Sequence, residues 1–202
     1  MKKILLIGIV ALCLTATISA KETAIKAEDI TSSMIAQESE LCSSGGLVGC
    51  FNLGNIYEFG AGIDKNYTKA IKYYTKACDG FFAEACSNLG ILYQAPKGVD
   101  QNLSKAVQLY SYGCVGGDGK GCCLLGMIYA DELYPNNSAE YAAKYYKKSC
   151  DLDFAAGCVE LGMLHYVGEG VGKNYTKSKE LFKRGCKLGN SDGCEYLESL
   201  LK

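Results

Sequence analysis

From residue 50 onward, apolar and polar positions return on a regular ruler. Counting forward from Cys50, Cys86, Cys122, Cys158 and Cys194, the third position is Leu53, Leu89, Leu125, Leu161 and Leu197, and the fourth is Gly54, Gly90, Gly126 and Gly162. The sixth is Ile56, Leu92, Ile128, Leu164 and Leu200, and the seventh is Tyr57, Tyr93, Tyr129 and His165. Apolar residues at 0, +3, +6 and +7 share one side of an α-helix, and the glycine among them marks where a neighbouring helix must come close. Each segment then breaks at a loop, at Gly60 to Lys65, Pro96 to Gln101, Glu132 to Asn137 and Gly168 to Lys173. Asn66, Asn102, Ser138 and Asn174 follow. These side chains accept the free N–H groups of a first helical turn, so the column predicts the N-cap of a second helix. That helix carries Ala70, Ala106, Ala142 and Ser178, then Tyr74, Tyr110, Tyr146 and Phe182, and ends on the next cysteine.

The period is 36 residues with no insertion or deletion, and the cysteines show it most plainly: Cys42/Cys50, Cys78/Cys86, Cys114/Cys122, Cys150/Cys158 and Cys186/Cys194 are each 8 apart. A repeat of two helices predicts an all-α fold, an α/α superhelical solenoid in which each unit contacts mainly its neighbours. We expect an N-terminal capping region over 21–46, with a helix near Ala27 to Leu41, then four repeats over 47–187. A C-terminal capping region over 188–202 follows, with a helix from Ser191 to Leu201. Residues 1–20 have the form of a secretory signal peptide: Lys2 and Lys3, an apolar run from Ile4 to Leu14, and small residues up to cleavage after Ala20. Cys13 follows Leu12 inside this leader, where a lipoprotein signal needs a small residue, so no lipid anchor is read. The expected address is the periplasm or the exterior, an oxidising space in which disulfides persist.

Composition narrows the function classes. With 21 Lys+Arg against 22 Asp+Glu and a net charge of −1, the chain lacks the basic excess that nucleic-acid binding or an anionic membrane requires. Its 49% hydrophobic content is enough for a packed core. No nucleic-acid partner is expected, nor a membrane one once the leader is removed, and the protein is expected to be a monomer. One His and no Cys-x2-Cys give no zinc ligand set, so neither metal nor other cofactor is expected.

These columns resemble a known family. Leu89-Gly90-Ile91-Leu92-Tyr93, the loop Gly168-Glu169-Gly170-Val171-Gly172-Lys173-Asn174-Tyr175, and Lys69-Ala70 and Lys105-Ala106 look like Sel1-like repeats. A Cys-x7-Cys pair in every repeat resembles more closely the Helicobacter cysteine-rich protein group. The third loop, which lacks glycine, and Pro96 depart from the pattern and leave the local loop shape open. The resemblance implies a protein that binds β-lactams and hydrolyses them slowly. The residues themselves assign no nucleophile, base or oxyanion donor, so the catalytic residues are unknown. Ser199-Leu200-Leu201-Lys202 has Ser-x-x-Lys spacing, but no Lys-Thr-Gly accompanies it. His165 stands in a tyrosine column and reads as a packing residue.

Within each Cys-x7-Cys the first cysteine ends one helix and the second opens the next, and a turn between antiparallel helices brings them within disulfide reach. We expect Cys42–Cys50, Cys78–Cys86, Cys114–Cys122, Cys150–Cys158 and Cys186–Cys194. Cys123 is left over as a free thiol at +1, where other repeats hold Phe51, Ser87, Val159 and Glu195. So variable a column suggests exposure; a small hydrophobe, an intermolecular bridge and a reactive thiol all remain open. The variable columns +1, +5 and +8 have i, i+4, i+7 spacing and would line one concave surface. Its candidate binding residues are Phe51, Asn52, Asn55, Glu58, Asn88, Ile91, Gln94, Met127, Met163 and Tyr166, polar in the N-terminal half and apolar in the C-terminal half. Such a groove suits a peptide, a protein segment or a peptidoglycan-derived small molecule held by a non-catalytic adaptor, the alternative to the β-lactam-binding hydrolase that the resemblance implies.

Overall fold

A computed structural model describes residues 20–200 apart from 96 and 133, with the side chains of 20–31 left aside. The leader expected over 1–20 therefore lies, but for Ala20, outside the described residues. Ten helices and no strand make up the described chain: α1 Ala20–Ser43, α2 Leu47–Phe59, α3 Tyr67–Asp79, α4 Ala83–Gln94, α5 Leu103–Val115, α6 Gly119–Ala130, α7 Ala139–Asp151, α8 Ala155–Val167, α9 Tyr175–Lys187 and α10 Ser191–Ser199. Consecutive helices pack in antiparallel pairs, and α2, α4, α6, α8 and α10 also touch one another in a row. No contact of that extent joins α3, α5, α7 and α9 among the described residues, so the first set forms the closer-spaced, inner side of a curved stack. Helix α1 is longer than the segment expected near Ala27 to Leu41. Neither glycine nor proline interrupts the chain between Ala20 and Gly45, so nothing local stops the helix earlier.

The repeating columns account for the geometry. Asn66, Asn102 and Asn174 Oδ1 each accept from a backbone N–H three residues on at 2.9 Å, and Ser138 Oγ does so at 3.3 Å. In the same residues the backbone N–H donates 2.8 Å to the carbonyl of Tyr57, Tyr93, His165 and Tyr129 respectively. This clamp holds the third loop as it holds the others, although only the first and fourth use a left-handed glycine, Gly60 or Gly168, at the helix end. The glycines at +4 are a steric requirement. A Cβ on Gly54, Gly90, Gly126 or Gly162 would sit 2.3–2.8 Å from the ring of Tyr74, Tyr110, Tyr146 or Phe182. Those rings are almost wholly buried, and each contributes roughly 1.5–3 kcal/mol by leaving water.

Five disulfides join Cys42 to Cys50, Cys78 to Cys86, Cys114 to Cys122, Cys150 to Cys158 and Cys186 to Cys194, with Cα–Cα distances of 4.5–4.7 Å. Each staples the end of one repeat's second helix to the first helix of the next. Closing a nine-residue loop stabilises by roughly 2.5 kcal/mol in the chain-entropy model.

Candidate functional site on the inner helix face

Four expected groove residues lie where the inner face meets solvent: Asn55, Ile91 and Met163 are half-buried, and Met127 is exposed. Asn52 joins them at +2, with Asn88 beside it but largely covered. Columns +1 and +8 lie elsewhere. Phe51 packs its ring against Tyr74 and Phe82, with centroids 6.0 and 5.0 Å away, and Ser87, Cys123 and Val159 are buried. At +8, Glu58 and Gln94 turn to the tyrosine hydroxyls of the following helix, while Tyr166 packs on Tyr175 at 5.3 Å.

The reason is angular. At about 100° per residue, +1 and +8 point the same way, and the open side of the helix is centred roughly 70° further round, where −2, +2, +5 and +9 fall together. The −2 column of Val48, Glu84, Lys120, Ala156 and Asp192 belongs to the groove and is not among the residues that the sequence predicts. The same i, i+4, i+7 spacing, started at −2 in place of +1, would have found it.

In the N-terminal half the groove floor is a lattice of hydrogen bonds. Tyr74 Oη lies 2.7 Å from Asn55 Oδ1 and 2.8 Å from the buried Glu58 carboxylate, one hydroxyl proton shared between two acceptors. Asn88 Nδ2 donates to Asn55 Oδ1 at 3.2 Å and to Tyr74 Oη at 3.3 Å, and Lys120 Nζ donates to Asn88 Oδ1. Nearby, Asn52 Nδ2 donates 3.0 Å to Glu38 Oε1. Burial first, and then the Glu58 hydrogen bond and charge, hold the Tyr74 hydroxyl far above its ordinary range, so it remains a donor. The lattice orients three groups with capacity to spare: the Asn55 amide N–H2, without an acceptor among the described residues, two protons of Lys120 Nζ, and Asn52 Oδ1. In the next unit Tyr110 Oη donates 2.6 Å to Gln94 Oε1.

The C-terminal half has no such lattice. Ala130 replaces the acceptor at +8, and Leu124, Met127, Met163 and Val167 present an apolar strip. At its far end Glu160 is held above the ordinary carboxylate range, by partial desolvation and then by the Asp192 carboxylate.

One further expectation resolves differently. Cys123 is 4% exposed, not solvent-facing, because column +1 fills the seam between repeats. Burial first, and then the charge of Glu160, push its thiol up to about 12, opposed in part by the neighbouring Ser149 hydroxyl, which leaves it the chemistry of a small hydrophobe. His165 Nδ1 sits 3.1 Å from the Gly172 carbonyl and ties down its loop. Ser199 Oγ donates 2.7 Å to its own helix at Tyr196 O, and Lys202, the other member of the Ser-x-x-Lys spacing, lies outside the described residues.

Stacked helix pairs with a continuous inner face, each repeat contacting mainly its neighbours, define a helical repeat array. The Sel1 repeat model matches residues 47–80, 83–117, 119–154 and 155–190, and the chain belongs to the Sel1 repeat family. Among solved structures, a Sel1 repeat protein from Oxalobacter formigenes is 24% identical, with a TM-score of 0.76 over 83% of this chain and 67% of that one. The protective antigen c5321 of uropathogenic Escherichia coli, with an SLR fold, is 25% identical with a TM-score of 0.74, over 83% of this chain and only 36% of the antigen's length. Helicobacter pylori cysteine rich protein B is 35% identical, with a TM-score of 0.54 over 64% of this chain and 93% of its own. No curated protein matches the chain. Five disulfides fit an oxidising, extracytoplasmic space, and no helix among the described residues is long and apolar enough to cross a membrane.

Proposed function

We propose that this Sel1-repeat protein is a non-catalytic adaptor, exported after cleavage behind Ala20, that holds an extended segment of a protein or peptide along its inner helix face. The observation that carries this reading is the Asn55–Tyr74–Glu58–Asn88–Lys120 lattice, which presents spare donors beside the half-buried Ile91 and the exposed Met127. An extended peptide has carbonyls that such donors can meet and alternate side chains that a Met-lined strip accommodates without strict shape demands. A display library of unstructured peptides, selected on the oxidised protein, tests it. Selected peptides should lose about tenfold in affinity to Met127→Ala and to Lys120→Ala, with melting temperature unchanged for the first. Affinities untouched by both substitutions would remove the inner face from consideration, and turnover of a chromogenic β-lactam by the oxidised protein would overturn the non-catalytic part.

A further inference from the structure

On the outer side, where one repeat hands over to the next, the repeat supplies its own control. Two residues past the ends of α1, α3, α5, α7 and α9 stand Gly45, Phe81, Gly117, Asp153 and Gly189, all in the left-handed conformation. At Phe81 that conformation, φ 69°, carries a bulky side chain whose relative exposure is 92%. Around it the usual charges are missing. Tyr112 stands in the register of Lys76, Lys148 and Arg184, and Val115 in that of Asp79, Asp151 and Lys187. At two other junctions this place is polar: Arg184 pairs with Asp153 at 2.8 Å, and Lys76 donates 2.7 Å to the Cys42 carbonyl. Here a cavity of about 680 Å³ opens instead, lined by Phe81, Leu89, Leu109, Tyr112, Val115 and the Cys78–Cys86 disulfide.

We infer that this patch is a self-association surface, on which a second copy of the chain docks about a two-fold axis with Phe81 of each copy entering the cavity of the other. Knob and hole lie side by side on one chain, the arrangement that a two-fold axis turns into a closed, self-complementary interface. The cavity is larger than one side chain, so the exposed Val115 of the second copy enters with Phe81. Its lining also includes one group of each sign, Asp79 and Lys105, so the patch carries both members of a charge pair that a second copy can match. Within a single copy Phe81 gains nothing from this arrangement. A Cβ at Gly45, Gly117 or Gly189 meets nothing within 4 Å, so the position is open to solvent and its left-handed backbone favours glycine. The surface lies apart from the inner face and does not depend on what that face binds.

Sedimentation velocity on the oxidised full chain, from low to high micromolar, tests the inference with Phe81→Gly and Val115→Asp, each the residue found in other junctions. Wild type should shift from monomer to dimer with concentration. Both substitutions should weaken the dimer at least tenfold, with Phe81→Gly melting no lower than wild type because glycine suits that backbone. A wild type that stays monomeric throughout, or a dimer indifferent to both substitutions, refutes it. So does a monomer that takes up an apolar dye lost in Phe81→Gly, which would assign the cavity to a small ligand or to another protein's segment.

Discussion

Tyr74 and Tyr146 stand in the same column two repeats apart, and both rings close over a glycine, Gly54 or Gly126. Their hydroxyls meet different worlds. That of Tyr74 is the hub joining Glu58, Asn55 and Asn88, whereas Ala130 stands where the acceptor of Tyr146 would be. Phe182, in the same column, dispenses with the hydroxyl altogether. The ring therefore serves the fold in every repeat, and the hydroxyl serves the groove only in the N-terminal half. One backbone thus carries a polar, preorganised half-groove and an apolar, adaptable one.

Both halves rest on the same staples, so the largest effect should abolish the distinction. Reducing all five disulfides removes roughly 12 kcal/mol if the loop terms add, comparable with the whole net stability of a typical domain of about 5–15 kcal/mol. Far-UV circular dichroism should show the helices lost, or melting far earlier, in reductant. An unchanged melt would mean that helix packing alone carries the solenoid. The next effect separates the halves. Tyr74→Phe leaves the buried Glu58 carboxylate and two amides short of a partner, at a cost of about 1–3 kcal/mol, or several degrees of melting temperature. Tyr146→Phe copies what Phe182 already is and should cost about 0.5 kcal/mol or less. Equal losses in the two variants would erase the contrast.

The repeat length, the cysteine pairs, the N-cap column and the close helix approach at each glycine are all legible in the sequence, because each is a local requirement repeated four or five times. The groove was legible only in part. Columns +1 and −2 are both variable, and only the neighbouring repeat decides which of them is covered. The deciding feature is complementary volume across the seam: Ser87 faces Gly113, Val159 faces Gly185, and Cys123 lies near Ser149, whose Oγ donates 2.7 Å to the Gly119 carbonyl. Variation in such a column reflects exchange of volume between partners that lie far apart in sequence, and so it mimics the variation of a solvent-facing one.

Cys123 tests that reading with a smaller effect. With its thiol near 12, only about one molecule in ten thousand carries the thiolate at pH 8, so iodoacetamide should leave the native protein unmodified for hours. Denaturant without reductant should expose one reactive thiol per chain once the leader, with Cys13, has been removed. Cys123→Ala should cost about 1 kcal/mol, a cavity's worth in a packed seam. Rapid alkylation of the folded protein would return Cys123 to the surface.

The smallest effect belongs to the C-terminal half and has a sign that the N-terminal half cannot reproduce. Glu160 is held above the ordinary carboxylate range, so the folded chain binds its proton more tightly than the unfolded chain does. From the ordinary carboxylate value up through the raised one, the folded state holds more protons, and stability falls as pH rises. Below that window both states are protonated and the penalty is absent; above it the penalty is complete. Glu160→Gln should therefore melt with wild type in acid and slightly above it at neutral pH, and Asp192→Asn should recover part of the same gain by removing the neighbouring charge. A Gln variant that is less stable at neutral pH would show instead that the Glu160 carboxylate is held by a favourable partner, and that the apolar half of the groove ends on an anchored charge, not on a repelled one.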